Sequence, residues 1–159
     1  MQSDRLTDEW TTTTLEAFGD NESVRKGLKA EDMYYNWAVK VYDEVLAYPD
    51  DYQMQIQGKD VSIKRHSWKR PYFVDVKGNL NKWGYFYIEV APDGWLFNPC
   101  KTNDRVCHVC IETQWAIEYD RKAMIDHINV NQPITDNNLW KVSVHDQSIK
   151  SITRRFKCE

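Results

Sequence analysis

The chain has 159 residues, of which 42% are hydrophobic and 28% charged, with a formal net charge of −3. Six glycines and five prolines are too few for a collagen-like or low-complexity chain, and the apolar fraction excludes disorder. No apolar run approaches the ~18 residues of a membrane span.

The length suits one domain with its own core. Residues 1–5 lack the basic and apolar stretches of a leader peptide, so a soluble, cytoplasmic protein without a membrane partner is expected. Residues 1–22 read as a partly ordered N-terminal extension and 23–159 as a single domain.

In chain order, Ser23 is expected to cap a helix from Val24 to about Ala47. Its apolar stripe runs through Tyr34, Ala38, Val41 and Val45. Pro49 ends it, with a turn at Asp50-Asp51. Strands are expected at Tyr52 to Gln57, Asp60 to Lys64, Tyr72 to Lys77, Tyr85 to Val90, Trp95 to Phe97 and Val106 to Ile111. Asp120 caps a second helix to about Asn129, with Met124, Ile125 and Ile128 inward. Leu139 to Val144 and Ser148 to Phe156 complete the set. Helices interspersed with strands predict an α/β or α+β domain with a central mixed sheet flanked by helices.

The four cysteines are Cys100, Cys107, Cys110 and Cys158. Cys107 and Cys110 form a C-x-x-C, but on a strand i and i+3 face opposite ways, so they are expected as separate buried thiols rather than a zinc pair.

The charge is unevenly distributed. Between Lys59 and Lys82 seven basic residues stand against two acidic ones, giving +5 and leaving −8 for the rest. Such a stripe suggests contact with a polyanion. Within it, Val74-Asp75-Val76-Lys77 places Asp75 and Lys77 on one strand face and the valines on the other. Asp60 opens the neighbouring strand. Two facing carboxylates repel unless a cation lies between them, and Mg²⁺ is commonly held by one or two carboxylates with water and phosphate. Glu31 lies on the helix stripe that faces the sheet. Glu44 is more lateral and a reserve.

A helical carboxylate, an Asp, and an Asp-x-Lys on the next strand resemble the PD-(D/E)XK nuclease superfamily. The residues are Glu31, Gly58-Lys59-Asp60-Val61 and Tyr72-Phe73-Val74-Asp75-Val76-Lys77-Gly78. Phe86-Tyr87-Ile88-Glu89 and Gly94-Trp95 are similar to the segments after the motif in small phage-type members. The resemblance implies a restriction-endonuclease-like fold and Mg²⁺- or Mn²⁺-dependent hydrolysis of DNA, endo- or exonucleolytic. It implies Asp60, Asp75 and the Val76 carbonyl as metal ligands. Lys77 would orient the attacking water, and Glu31 would bind a metal-bound water or second metal. Asp50 and Asp51 are alternatives to Asp60. Glu89 is a further candidate beside the site. The superfamily's usual helix after the Asp-x-Lys strand is replaced here by an expected strand.

On this reading Lys64, Arg65, Lys69 and Arg70 would grip the DNA backbone. Trp68 would stack on a base or join the core, and His66 is expected at the surface. Cutting both strands would favour a homodimer. A phage-encoded member would act in the host cytoplasm. The alternative is a non-catalytic nucleic-acid- or protein-binding domain of the same fold.

Overall fold

The computed structural model describes residues 21–48 and 51–159. The N-terminal extension to residue 20, Pro49 and Asp50 lie outside the described residues. The chain folds as a single α+β domain. Its main sheet has six strands: β1 (Glu44–Ala47), β2 (Val61–Lys64), β3 (Tyr72–Lys77), β5 (Arg105–Val109), β6 (Trp115–Asp120) and β8 (Thr153–Lys157), in spatial order β1-β2-β3-β5-β6-β8. All pairings are antiparallel except β3 with β5. β4 (Tyr85–Glu89) pairs with β7 (Leu139–Ser143) in a separate two-stranded ribbon.

Helix α1 spans Glu22–Val41 and covers one face of the sheet. Ala30, Tyr34 and Ala38 pack there on Val61, Ile63, Val74, Val76 and Cys107. The ribbon and helix α3 (Arg121–Asn131) cover the other face. Phe86, Ile88, Met124, Ile128 and Val142 meet Val106, Ile117 and Tyr119. Both faces are therefore buried, so a charged residue on a central strand must find a partner or a function.

Several elements differ from the sequence-based expectation. Asn21, not Ser23, caps α1, its side chain accepting from the Val24 N–H at 3.0 Å. The helix stops at Val41, and Glu44–Ala47 becomes β1. Val45 continues the apolar pattern on a strand because β2 needs a partner at its outer edge. Tertiary pairing outweighs helical periodicity there.

Tyr52–Ile56 is a short helix, α2, not a strand. Asp51 caps it by accepting from the Met54 N–H at 3.1 Å, and no residue of the helix is buried. A six-residue alternation does not distinguish the two states without burial. Residues 95–97 form turns, with Asn98 N–H donating to the Gly94 carbonyl at 2.9 Å. β6 has no counterpart among the expected strands. At the C-terminus a 3₁₀ turn (Gln147–Ile149) precedes β8, so the expected strand from Ser148 begins five residues late.

β3 and α3 match expectation closely, and Asp120 caps α3 through the Ala123 N–H at 2.8 Å. Cys107 packs with the α1 cluster and Cys110 with the other, so they face opposite layers and cannot share one ion.

Candidate active site

β2 and β3 run antiparallel with Val61 opposite Val74. Asp60, immediately before β2, is thereby set beside the C-terminal half of β3. Its N–H donates to the Val74 carbonyl at 3.1 Å, and its Oδ2 accepts from the Val76 N–H at 2.8 Å. The carboxylate thus substitutes for a backbone carbonyl and extends the ladder past the end of β2.

Val74 and Val76 point into the α1 layer, as period-two geometry requires. Asp75 and Lys77 take the other face, with Lys77 Nζ 3.4 Å from Asp75 Oδ2. Glu31 projects from α1 and completes the group. It is within hydrogen-bonding reach of Asp60, and Asp60 of Asp75. Glu31, Asp60 and Asp75 are 6%, 5% and 3% exposed.

Burial is the main reason the Glu31 carboxyl is held well above its ordinary range. The charges of Asp60 and Asp75 push the same way, and Lys77 opposes them. Asp60 is pushed up to about 8, first by burial and then by Asp75, against the Val76 N–H and Lys77. Three carboxyls sharing one dry corner with one ammonium are short of positive charge.

Unsatisfied oxygens mark the same corner. Among the described residues, Glu31 Oε2, Asp75 Oδ2 and Asn103 Oδ1 are buried without a hydrogen-bond donor. Asp75 Oδ2 meets Lys77 as an ion pair only. Asn103 donates its amide N–H to the Arg105 carbonyl at 2.9 Å, which turns its oxygen toward Gly58. A Cβ at Gly58 would lie 2.7 Å from Asn103 Oδ1 and 3.4 Å from Asp75 Oδ2. Gly58 also has φ +73. Native interiors rarely leave buried acceptors unpaired, so their convergence here is informative.

Glu118 provides an internal comparison. It is also buried, at 4% exposure. Yet Tyr34 donates to it at 2.8 Å, and Arg105 and Arg154 approach at 3.2 and 3.4 Å. That carboxylate is fully paired and structural. In the other group, Glu31 Oε2 and Asp75 Oδ2 have no donor.

The corner opens to solvent through a cleft of about 910 Å³ lined by Glu31, Asp60, Asp75 and Lys77, with Gln55, Trp95 and Lys101 on its walls. Lys77 Nζ lies over the Trp95 ring at 5.0 Å. Arg121 fixes the loop that carries Trp95, donating to the Leu96 and Asn98 carbonyls at 2.8 and 3.3 Å. Beneath the cleft His108 bridges Tyr119 (2.7 Å) and Asn79. Its buried ring is held well below the usual imidazole range by desolvation, with Lys77 adding to the shift.

The sequence-predicted group Glu31, Asp60, Asp75 and Lys77 is brought together, and Val76 lines the same cleft. Other candidates are placed elsewhere. Asp51 caps α2, and Asp50 lies outside the described residues. Glu44 pairs with Lys64 at 3.6 Å on β1. Glu89 is in the ribbon and does not line the cleft.

Lys64, Arg65, Lys69 and Arg70 occupy the hairpin at the opposite end of β3, about 16 Å along the strand from Asp75. Arg65 donates to the Val41 carbonyl at 3.0 Å, and Arg70 makes a two-point contact with Asp104 at 2.8 and 3.1 Å. Lys69 is exposed on the same connector. Trp68 packs against the α1 core cluster, and His66 is exposed beside Asp43. These cations lie at the far end of the hairpin from Asp75, because the chain reverses between Lys64 and Tyr72. The cations that do line the cleft besides Lys77 are Lys26 and Lys101. Neither, nor Asn103, carries a sequence signal that singles it out for this site, whereas Trp95 belongs to the Gly94-Trp95 segment that the resemblance included.

Among the described residues, no group of three or more His, Cys, Asp or Glu side chains is arranged as a metal cage. No helix of the described chain is long and apolar enough to cross a membrane. No family model matches the chain, and neither a curated protein nor a solved structure is significantly similar to it.

Proposed function

We propose that the protein is a divalent-metal-dependent phosphodiester hydrolase acting on DNA. The observation that carries this reading is the buried corner where Glu31, Asp60 and Asp75 meet one lysine and leave oxygens unpaired. The donor set is all oxygen, which suits Mg²⁺ or Mn²⁺ rather than zinc. Asp60, Asp75 and the Val76 carbonyl are the ligands that fit. A full carboxylate cage is not needed, since Mg²⁺ keeps several waters and takes phosphate oxygens.

The bound ion would supply charge neutralisation and an acidified water. The chain's own residues do the rest. Lys77, held between Asp75 and the Trp95 ring, stays at the cleft wall, where it positions water and balances phosphate charge. Glu31 accepts from water on the α1 side. The buried walls limit competing solvent and strengthen these interactions.

The order of elements supports a restriction-endonuclease-like assignment: a helix, an antiparallel three-strand meander carrying Asp60 and Asp75, then a fourth strand parallel to β3. The crossover between β3 and β5 contains β4 and turns instead of a helix.

The test is cleavage of linear, nicked, single-stranded and branched DNA under Mg²⁺ and Mn²⁺ titration, with Asp75→Asn as the control. Metal-dependent cleavage lost in the variant is expected. Binding without cleavage on every substrate would instead assign a non-catalytic DNA-binding domain.

A further inference from the structure

Of the three buried side-chain oxygens without a donor among the described residues, one belongs to no acid. It is Asn103 Oδ1. Asn103 is 5% exposed, and an amide oxygen left unpaired at that depth calls for an explanation.

The direction of this oxygen follows from the other end of the amide. The Asn103 side-chain nitrogen donates to the Arg105 carbonyl at 2.9 Å. Only the N–H end can make that bond, so the oxygen must point the other way. The backbone on either side is tied down as well. Thr102 N–H donates to the Gln57 carbonyl at 3.0 Å, and Asp104 N–H to the Phe73 carbonyl at 2.8 Å.

Asp60 and Asn103 thus flank β3 from its two neighbours. Asp60 immediately precedes β2, and Asn103 lies just ahead of β5. Asn103 Oδ1 and Asp75 Oδ2 border the same point, 2.7 and 3.4 Å from where a Cβ on Gly58 would stand. Glycine carries only a hydrogen in that direction. A Cα–H is a weak donor, and it does not replace the strong donor or cation that two buried acceptors require.

We infer that Asn103, through Oδ1, is an oxygen ligand of the site's divalent cation and shares that ion with Asp75. The inference rests on the hydrolase reading for the cation, and adds a neutral ligand to the carboxylates and the Val76 carbonyl. Asparagine carbonyls are ordinary ligands of hard cations. Neutrality suits this corner, because it supplies an oxygen without adding charge to carboxyls that already repel one another. A purely structural Asn103 is accounted for by its N–H bond alone and leaves the buried oxygen without a role.

The test is metal binding by the full chain in the absence of DNA. Mn²⁺ affinity is read from the electron paramagnetic resonance of the free ion. The number of bound waters is read from Tb³⁺ luminescence lifetimes in H₂O and D₂O. Asn103→Ala is expected to weaken Mn²⁺ binding at least about tenfold and to admit about one extra water to bound Tb³⁺. Asn103→Leu, closer in volume, serves in its place if the alanine variant does not fold. Asn103→Asp keeps an oxygen and is expected to bind Mn²⁺ at least as tightly as the parent. Both Asn103→Ala and Asn103→Asp lose the N–H bond to Arg105, so a structural role would weaken them alike, and that result overturns the inference. Parental affinity and water number in Asn103→Ala overturn it too. The expected metal-binding pattern without cleavage of any DNA leaves the ligand standing and removes the hydrolase. Metal-dependent cleavage with parental metal binding in Asn103→Ala removes the ligand alone. A parent that binds neither ion removes both.

Discussion

The Asp60 carboxylate accepts the backbone N–H of Val76 at 2.8 Å. This one bond locks the strand carrying Asp75 and Lys77 in register against the residue that precedes β2. The position of Asp60 relative to Asp75 and Lys77 depends on it.

Asp75→Asn and Lys77→Ala should each lower metal-dependent cleavage by at least ~10²-fold. Both side chains sit in the cleft wall and neither is a core apolar group, so the far-ultraviolet circular dichroism should be unchanged. Initial-rate assays on the best substrate of the cleavage panel check this.

Stability without metal should depend on pH in a defined sense. Asp60 is raised from the ordinary 3.8 to about 8, mainly by burial, and Glu31 is raised for the same reason. A raised carboxyl binds its proton more tightly when folded. Its stabilisation is complete below the unfolded value and is lost as pH climbs through the folded one. Thermal midpoints in EDTA should therefore fall between about pH 4 and pH 8, and Asp60→Asn should flatten that fall. Mg²⁺ at a hundred times its Kd should restore about 2.7 kcal/mol, or roughly 5–10 °C, at pH 8 in the parent. A flat metal-free profile would contradict the charge deficit.

Gly58→Ala should be costly. The left-handed φ of +73 disfavours any side chain, and a Cβ would press on Asn103 Oδ1. We expect a loss of about 1–2 kcal/mol together with weakened Mg²⁺ affinity, because Asp75 Oδ2 adjoins the same space. Differential scanning calorimetry with and without Mg²⁺ separates the two effects.

Glu118 should behave oppositely to Asp60. Glu118→Ala removes the carboxylate that Arg105 and Arg154 share and leaves Tyr34 without its acceptor, while Arg154 keeps its bond to the Tyr42 hydroxyl. Both arginines retain some solvent contact, so the loss falls near 3 kcal/mol, the lower end for a broken buried pair. Denaturant melts check this, with Mg²⁺ affinity expected to be unchanged.

The motif strand was readable because its message is local. Val74 and Val76 require one apolar face, and period two then puts Asp75 and Lys77 together whatever the rest of the fold does. The helical stripe through Tyr34 and Ala38 likewise placed Glu31 on the buried side of α1. The opposite facing of Cys107 and Cys110 was legible for the same reason. Local pattern failed where a partner decided the state. Residues 44–47 continue a helical stripe, yet they become a strand because β2 has an open edge. Residues 52–56 alternate, but Asp51 caps them into a short helix with no fully buried residue.

The sequence alone thus determined which side chains on each element face inward, and with them the group of Glu31, Asp60, Asp75 and Lys77. Only the tertiary structure decided which cations share their space. Strand reversal carried Lys64, Arg65, Lys69 and Arg70 to the far end of the hairpin. It left the cleft to Lys77, Lys26 and Lys101. Facing direction is a property of neighbouring backbone angles, whereas proximity across a sheet depends on where the chain turns, and no local pattern contains that.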